Sequence, residues 1–288
     1  MSRIGFIGLG MMGVPMAHLL HERGNEVVVQ DVDTEVTARF AKAHPRSSVA
    51  NSPADYDTVD VLITMLPNSA IVNEVMNALI GVLPKSCVVI DMSSSDPMQT
   101  RALATRLSDV GIQMIDAPVS GGVKKAVDGS LAIMVGGDND TFAKVRPVLE
   151  SLGKSITHVG PIGSGHALKS LNNYVSAAAL IATAEAIHAG VAFGIDAKTV
   201  VDVINASTGK NNTTENKAHQ FMLSGAFNSG FSLALQNKDV SIAIGLGQAL
   251  DQKMELGSKV KEMTHSASAA LGARADHTEL YRYVEPGN

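Results

Sequence analysis

Two polar residues, Lys169 and Asn173, interrupt a long apolar segment of the chain, within the stretch Gly165-His166-Ala167-Leu168-Lys169-Ser170-Leu171-Asn172-Asn173. In an α-helix, residues four positions apart lie on one face, so we expect the ammonium group and the carboxamide to lie side by side. A lysine in apolar, cationic surroundings has a lowered pKa and can act as a general acid or base. The alternative is a lysine at the rim of a domain that extends its charged end into solvent.

A glycine-rich turn follows the first apolar segment. Gly8, Gly10 and Gly13 form the pattern GxGxxG and open a predicted helix that runs to about Arg23. The first glycine permits a tight turn, the second lets a pyrophosphate approach the backbone, and the third lets the helix pack on the strand. The N–H groups at the helix N-terminus attract the anion. Within the motif, Met11 and Met12 are candidate contacts to this ligand, although helical methionines more often fill a core.

Asp31 follows the second predicted strand and lies 18 positions after Gly13. In dinucleotide-binding βαβ units, an acidic residue about 20 positions beyond the glycines binds the adenosine ribose hydroxyls. A carboxylate there repels a 2′-phosphate, and the next residues, Val32, Asp33 and Thr34, supply no cation to bind one. The sequence therefore predicts NAD as the cofactor, with NADP disfavoured.

A second loop, Asp116-Ala117-Pro118-Val119-Ser120-Gly121-Gly122, follows another predicted strand. Ligands of open α/β folds bind at the carboxyl ends of the strands, where this loop lies. Ser120 offers a hydroxyl group, while Gly121 and Gly122 offer unobstructed backbone N–H groups. This combination suits a small carboxylate, although a simple turn has the same composition.

The elements that position these residues change character halfway along the chain. In the first half, short apolar segments alternate with amphipathic stretches, a pattern typical of β-α-β units on a parallel sheet. Continuously apolar segments such as Val88-Val89-Ile90 indicate strands covered on both faces. The predicted strands are Ile4–Ile7, Glu26–Val29, Val61–Met65, Cys87–Ile90, Ile112–Ile115, Leu131–Val135 and Ile156–Val159.

After Pro161-Ile162-Gly163-Ser164-Gly165, the stretch His166–Phe193 contains no proline and predicts one helix about 40 Å long. We therefore predict an α/β chain with an N-terminal Rossmann-type parallel sheet domain that binds NAD, residues 1–162, and an all-α domain for substrate binding and oligomerisation, residues 163–288, with a long interdomain helix. Further helices are predicted at Ala197–Asn205, Glu215–Leu223, Leu233–Leu250 and Leu256–Leu271.

Composition narrows the class of partner. The 288 residues include 23 basic and 28 acidic side chains, a net charge of −5 that gives no basic surplus for nucleic acid. The single cysteine, Cys87, has no base or second thiol beside it, so we expect it to be a small buried side chain rather than a nucleophile. A chain with one cysteine forms no intrachain disulfide, which favours a reducing compartment. Nine histidines show no metal-binding spacing. No apolar run approaches the ~20 residues of a membrane span, and no cleavable leader is evident, so we expect a cytoplasmic protein without membrane contact.

The order of four motifs resembles the β-hydroxyacid dehydrogenases typified by 3-hydroxyisobutyrate dehydrogenase. These motifs are the glycine-rich turn, the DxPVSGG loop, GxxxKxxxN at the domain junction and the later pair Lys238-Asp239. The resemblance implies that Lys169 is catalytic, that Asn173 orients the substrate, and that Lys238 closes over nicotinamide and substrate. It also implies that Ser120, Gly121 and Gly122 hold the substrate carboxylate.

Three further positions match those that line the dinucleotide in this family, namely Leu66, Pro67 and Ser94. Relatives often carry threonine at the position of Ser94, which keeps the hydroxyl group. They carry a cofactor-binding asparagine where Ile71 stands, and isoleucine cannot make that bond. The resemblance thus implies a cofactor site that is complete except at one position.

The resulting hypothesis is an NAD-dependent oxidoreductase that moves a hydride to or from C3 of a small β-hydroxy acid, with Lys169 as general acid/base. The exposed apolar surface of a helical domain further predicts a homo-oligomer, dimer or tetramer. Two alternatives remain: a β-oxidative decarboxylating or semialdehyde-reducing relative, and a non-catalytic dinucleotide sensor. The polar segment Gly209–Lys217 is a possible substrate selector, or only a cap in which Thr213 or Thr214 starts the helix at Glu215.

Overall fold

The computed structural model describes residues 1–272 and 274–285. The chain divides into two compact units, Met1–Lys169 and Ser170–Asn288. The sequence predicts a boundary between residues 162 and 163, whereas the compact units divide after Lys169, inside a helix. Residue 273 and residues 286–288 of the predicted second domain lie outside the described residues.

The first unit is built on a mostly parallel sheet with helices, which confirms the predicted fold class. Its strand order β3-β2-β1-β4-β5-β6 is that of a doubly wound dinucleotide-binding sheet. All neighbouring strands in this part of the sheet are parallel. Within the described residues the strands are β1 (Arg3–Ile7), β2 (Glu26–Gln30), β3 (Ser47–Val49), β4 (Val61–Thr64), β5 (Val88–Asp91), β6 (Gln113–Asp116), β7 (Val119–Ser120), β8 (Leu131–Gly136) and β9 (Gly153–Gly160).

The sheet contains antiparallel pairs beyond β6. β8 runs antiparallel to β6 and β7, and it pairs in parallel with β9. Two strands, β3 and β7, were not predicted because they contain three and two residues and show no apolar run. In the short strand β7, Ser120 pairs with Ala132 of β8.

Helices cover both faces of the first sheet, as the continuously apolar strands predict. Alternate residues of one strand enter opposite cores, so Val88 and Ile90 pack in one core while Val89 packs in the other. Cys87 is buried in the second core, and burial raises the pKa of its thiol to about 12. The helices of this unit are α1 (Gly13–Glu22), α2 (Thr34–Ala43), α3 (Ser69–Leu79), α4 (Pro97–Asp109), α5 (Gly122–Val127) and α6 (Asn139–Glu150), together with the start of α7 (Ser164–Phe193).

The second unit contains only helical elements among its described residues. Its main core packs α7 residues such as Leu180 against Val240 and Val260. The predicted helix Glu215–Leu223 is helical but divided: a short α-helix ends at Asn216, and a π-helical segment, Ala218–Leu223, follows. Asn211, rather than either threonine, caps the short helix. The remaining helices are α8 (Ala197–Asn205), α9 (Asn212–Asn216), α10 (Leu233–Ala249), α11 (Glu255–Leu271) and α12 (Leu280–Tyr283).

The helix α7 is long and apolar. By length and composition it could cross a membrane, with a mean hydropathy of 1.5 over a window of which 33% is buried. The expectation that no segment reaches this length was therefore wrong. One face of α7 packs into the main core of the second unit, where Ala177, Leu180 and Ile181 are buried.

Candidate active site

The glycine-rich turn has a backbone geometry that excludes side chains at two of its three glycines. Gly8 has a φ of +103°, and a Cβ atom there would lie 2.3 Å from the carbonyl oxygen of Met65. A Cβ atom on Gly13 would lie 1.8 Å from the carbonyl oxygen of Gly8. At Gly10, by contrast, no atom lies within 4 Å of the Cβ position. Gly10 therefore borders open space, as the approach of a pyrophosphate to the backbone requires.

The N-terminus of α1 differs from those of its neighbours. In α2, α3 and α4 the side chains of Asp33, Asn68 and Asp96 accept hydrogen bonds from first-turn N–H groups. Met12, at the start of α1, makes no such bond. A helix N-terminus without a side-chain cap presents the positive end of the helix dipole to an anion. In the first turn of α1 the Val14 N–H is bonded to the Gly10 carbonyl oxygen at 3.1 Å and Pro15 has no N–H, so the N–H of Gly13 is the donor that this turn can offer. This helix is also the one that follows the glycine-rich turn.

Asp31 lies against the same turn. Its Oδ2 atom accepts a 2.6 Å hydrogen bond from the backbone N–H of Leu9, and its Oδ1 atom accepts a 2.9 Å bond from the N–H of Asp33. A carboxylate oxygen can accept more than one hydrogen bond, so both oxygens retain capacity for ribose hydroxyls. The first unit thus brings together the glycines and the acid that the sequence paired.

An open cavity adjoins Asp31, and its lining was only partly foreseen. Gly10 and Met11 line it as expected, and Met11 is 75% exposed. Arg39 and His44 line it as well. These cationic or protonatable side chains come from α2 and the loop after it, beyond the three residues that follow Asp31. The sequence missed them because the turn of a helix, rather than adjacency, brings them to the cavity.

The other predicted cofactor positions lie at the ends of β4 and β5. The backbone N–H of Leu66 donates a 2.9 Å hydrogen bond to the hydroxyl of Ser93, and Ser95 donates a 2.7 Å bond to Asp91. Ser93 and Ser95 are buried, whereas Ser94 between them is partly exposed. Pro67 follows Leu66 directly, and Met12 packs partly buried against the core. No contact here tests the cofactor roles of these residues, which stay predictions.

The predicted carboxylate loop has the backbone its glycines suggest. Gly121 and Gly122 have φ values of +137° and +68°, which residues with a side chain rarely adopt. A Cβ atom on Gly121 would also lie 2.5 Å from the side chain of Lys125. Both glycines are exposed and Ser120 is partly exposed, so their polar groups are accessible to a ligand.

A buried polar network, missed in the sequence, anchors the start of α7. Asp116 accepts hydrogen bonds from the N–H groups of Gly163, at 2.6 Å, and His166, at 2.7 Å. The His166 ring hydrogen-bonds the Thr100 hydroxyl at 2.8 Å and lies 3.8 Å from Asp91. The network therefore fixes the first turn of α7, and Lys169, partly buried, is one turn further along.

In the second unit, the predicted residues Asn173 and Lys238 share one partner. The Asn173 carboxamide donates a 2.5 Å hydrogen bond to Oδ2 of Asp239, and the Lys238 ammonium lies 3.8 Å from Oδ1 of the same carboxylate. Asp239 is buried. Its carboxylate thereby orients a carboxamide and holds a cation beside it, a role that the sequence had not assigned.

These features match the pyrophosphate and ribose of a dinucleotide. The open Cβ position at Gly10 and the uncapped α1 fit a pyrophosphate, and Asp31 fits a ribose. Among the described residues no group of three or more His, Cys, Asp or Glu side chains could hold a metal ion. The fold and the site therefore define an oxidoreductase class in which a dinucleotide carries the redox chemistry.

Comparison with known proteins agrees with that class. Residues 3–160 match the model of the NAD binding domain of 6-phosphogluconate dehydrogenase. Residues 163–284 match the model described as NAD-binding of NADP-dependent 3-hydroxyisobutyrate dehydrogenase. The chain is 40% identical to 2-(hydroxymethyl)glutarate dehydrogenase of Eubacterium barkeri, over 98% of this chain and 95% of the relative.

Two further relatives are named 3-hydroxyisobutyrate dehydrogenase. Mitochondrial 3-hydroxyisobutyrate dehydrogenase of Mus musculus is 33% identical, over 98% of this chain and 86% of the relative. The solved structure of Mycobacterium tuberculosis 3-hydroxyisobutyrate dehydrogenase with L-serine has a TM-score of 0.92 and 33% identity, covering 99% of both chains. The chain therefore belongs to the β-hydroxyacid dehydrogenase family. It is an oxidoreductase that acts on hydroxy acids with a nicotinamide dinucleotide, which argues against the non-catalytic sensor.

Proposed function

We propose that this protein transfers a hydride between NAD and the primary alcohol of a small 3-hydroxy acid. The observation that carries the proposal is the Gly8–Gly13 turn with Asp31 bonded to it, in a chain of this family. The compounds named with the relatives share one core, in which a hydroxymethyl group and a carboxylate are attached to the same carbon. They differ only in a substituent R on that carbon: methyl in 3-hydroxyisobutyrate, carboxyethyl in 2-(hydroxymethyl)glutarate and ammonium in L-serine.

Lys169 supplies the proton transfer in this proposal. Oxidation requires that the hydroxyl proton leaves as the hydride leaves the same carbon, so a base must lie at that oxygen. The bound dinucleotide supplies the acceptor for the hydride. Lys169 takes the hydroxyl proton in oxidation and returns it in reduction. The anchored first turn of α7 supports this role, because proton transfer needs a base at a fixed position.

Asn173 and Lys238 orient the substrate in this proposal. Asp239 accepts a hydrogen bond from the Asn173 carboxamide N–H. The carboxamide oxygen accepts a 3.1 Å hydrogen bond from Nδ2 of Asn172, and its second lone pair can accept one from a substrate hydroxyl. Lys238 contributes positive charge that favours an anionic substrate. The substrate carboxylate binds at Ser120, Gly121 and Gly122, whose hydroxyl and N–H groups are donors of the kind a carboxylate requires.

NAD is the preferred dinucleotide in this proposal, because the Asp31 carboxylate repels a 2′-phosphate. Arg39 in the adjoining cavity is the observation on the side of NADP. The family model that matches the second half of the chain is itself described as NADP-dependent. Cofactor preference therefore depends on which of these two side chains faces the 2′ position.

The test is an initial-rate assay of nicotinamide reduction on 3-hydroxyisobutyrate, 2-(hydroxymethyl)glutarate and L-serine, each with NAD and with NADP. We expect turnover of at least one compound, with a higher kcat/KM for NAD. Absence of turnover on all three would overturn the proposed substrate core. Release of carbon dioxide in step with nicotinamide reduction, and faster than the free semialdehyde loses it in buffer, would instead support the β-decarboxylating alternative.

We also propose a homo-oligomer that buries α7. Its apolar residues Val175, 62% exposed, and Phe193, 86% exposed, are 18 positions apart and lie on one face. Ala182, Ala186 and Ala189 on the same side are exposed as well. An apolar stripe of this length is covered in most soluble proteins. Sedimentation equilibrium should give at least a dimer, and Ala186→Glu should shift it to monomer; a monomeric wild-type protein contradicts the proposal.

A further inference from the structure

The side chain of Lys217 is a partly buried cation in the second unit. Its Nζ atom donates a 3.2 Å hydrogen bond to the hydroxyl of Ser176 on α7. Within residues 1–272 and 274–285, no carboxylate oxygen lies within the 4.0 Å ion-pair distance of this ammonium group. The pKa of Lys217 lies below its usual value of 10.5 because the side chain is buried, and the negative charge of nearby Asp276 offsets only part of this decrease. A charge taken out of water without an ion-pair partner is costly, so the site is suited to an anion.

The nearest charged residue, Asp276, is already engaged elsewhere. Its two oxygens accept hydrogen bonds from Ser229, from the N–H of Gly230 and from both the N–H and the hydroxyl of Thr278. These bonds hold the turn Asp276–Glu279 as a capping box. The carboxylate is thus committed to a structural role and does not neutralise Lys217 by direct contact.

His277 beside it adds no compensating charge. Burial and the Lys217 ammonium lower the pKa of His277 to about 4, so the ring is neutral near pH 7. Its Nδ1 atom donates to the carbonyl oxygen of Phe231 at 3.0 Å. Among the described residues, the groups found to interact with Lys217 are the Ser176 hydroxyl, the neutral His277 imidazole and the Asp276 carboxylate, which is used by its own turn.

The position of Lys217 relates it to the predicted substrate residues of the same unit. Ser176 lies three positions after Asn173 on α7, which places both side chains on one side of the helix and about 4.5 Å apart along its axis. Lys217 is also the last residue of the polar segment Gly209–Lys217, which the sequence suggested as a substrate selector. The ammonium group is therefore about one helical turn from the carboxamide that orients the reacting alcohol.

We propose that Lys217 and Ser176 form a subsite for an anionic group at the end of substituent R, and that the preferred substrate is a 2-(hydroxymethyl) dicarboxylic acid. This inference rests on the proposed function, since it extends the same substrate core. The reacting hydroxymethyl group and first carboxylate are unchanged, and the second carboxylate accepts hydrogen bonds from the ammonium and hydroxyl groups. A methyl or ammonium substituent leaves Lys217 without an anion.

The test compares kcat/KM for 2-(hydroxymethyl)glutarate and for 3-hydroxyisobutyrate in wild type, Lys217→Met and Lys217→Arg. Hydrogen bonds to charged groups contribute enough that the preference for the dicarboxylate should fall about 10- to 100-fold in Lys217→Met. Lys217→Arg should retain most of the preference because the charge is kept. Lys259→Met is the matched control, because Lys259 is an exposed lysine of the same unit that pairs with Glu262; its ratio should equal that of wild type.

A binding measurement separates this inference from the proposed function. Isothermal titration of the enzyme saturated with NADH uses 2-methylglutarate and isobutyrate, which lack the hydroxyl group and cannot react. We expect tighter binding of 2-methylglutarate by wild type and loss of that difference in Lys217→Met. If wild type turns over its substrates but the ratio and the binding difference stay unchanged in Lys217→Met, the subsite is wrong and the proposed function stands. If wild type oxidises neither acid, the proposed function itself fails.

Discussion

The two units of this molecule present ligand-binding groups in different ways. The candidate groups of the first unit are mainly backbone groups: glycines whose Cβ positions are blocked or open, and a helix that begins without a side-chain cap, with the Asp31 carboxylate beside them. The second unit uses side chains, in the pair Asn173 and Asp239 and in the cation Lys217. Backbone recognition suits a constant ligand such as a dinucleotide, whereas side chains can change without altering the fold. We therefore expect cofactor binding to be set in the first unit and substrate choice in the second.

We expect the largest effect from adding one carbon atom to the glycine-rich turn of the first unit. Gly13→Ala places a Cβ atom 1.8 Å from the carbonyl oxygen of Gly8, so we expect a loss of about 3 kcal/mol in the free energy of unfolding and loss of NADH binding. In Gly10→Ala the added methyl group lies in open space when no cofactor is bound, so the free energy of unfolding should match that of wild type. NADH titration should nevertheless show binding weakened about 10- to 100-fold, because the methyl group occupies the pyrophosphate position.

Two outcomes would contradict this prediction. Normal NADH affinity in Gly10→Ala would mean that the dinucleotide does not approach this backbone. Normal stability in Gly13→Ala would mean that the turn can relax away from the Gly8 carbonyl. Gly81→Ala serves as the control, since no atom lies within 4 Å of its Cβ position either and it lies outside the turn.

The side-chain cluster of the second unit should respond to pH. The pKa of His277 is lowered to about 4 in the fold from 6.5, so the folded state favours the neutral ring. This contribution is complete above pH 6.5 and is lost as the pH falls towards 4, where the unfolded chain binds the extra proton. We expect chemical denaturation to show a decrease of about 3 kcal/mol over that range.

His277→Asn keeps a donor for the Phe231 carbonyl oxygen and removes the titration, so its unfolding free energy should fall less between pH 6.5 and 4. His219→Asn is the control, because His219 is an exposed histidine paired with Asp202. An equal pH dependence in His277→Asn and wild type would show that His277 does not titrate in this range.

A smaller effect should separate the two dinucleotides. Asp31→Asn keeps an acceptor for the Leu9 N–H but removes the negative charge, so the ratio of kcat/KM for NAD to that for NADP should fall about tenfold. Asp196→Asn is the control, because Asp196 caps α8 far along the chain and asparagine can still cap that helix. An unchanged ratio in Asp31→Asn, with a reduced use of NADP in Arg39→Ala, would favour Arg39 as the selecting residue.

The parts of the molecule predicted from sequence are those fixed by local geometry. The turn at Gly8, its strand and its helix are specified within about thirty residues, so pattern and structure agree. The anchor of α7 was missed because Asp91, Asp116 and His166 are far apart in the chain and meet only through the strand order. Asp239 was quoted in a motif but its contact with Asn173 depends on helix packing.

Other features were not predicted from the sequence for similar reasons. The antiparallel β8 reflects strand pairing, which apolar periodicity does not encode. In the sequence, Lys217 is one polar residue in a polar segment. Only its burial against Ser176 in the structure distinguishes it from its neighbours. The cytoplasmic location and the roles assigned to single site residues stay predictions.

We propose that the first unit binds the dinucleotide and that Lys169 performs proton transfer on the hydroxy acid. Both roles can be separated in Lys169→Ala by measuring NADH affinity and kcat on one preparation, with the acid that wild type uses best. We expect NADH binding equal to that of wild type and a kcat lowered about 100- to 10,000-fold. A kcat close to that of wild type would show that Lys169 is not the general acid/base.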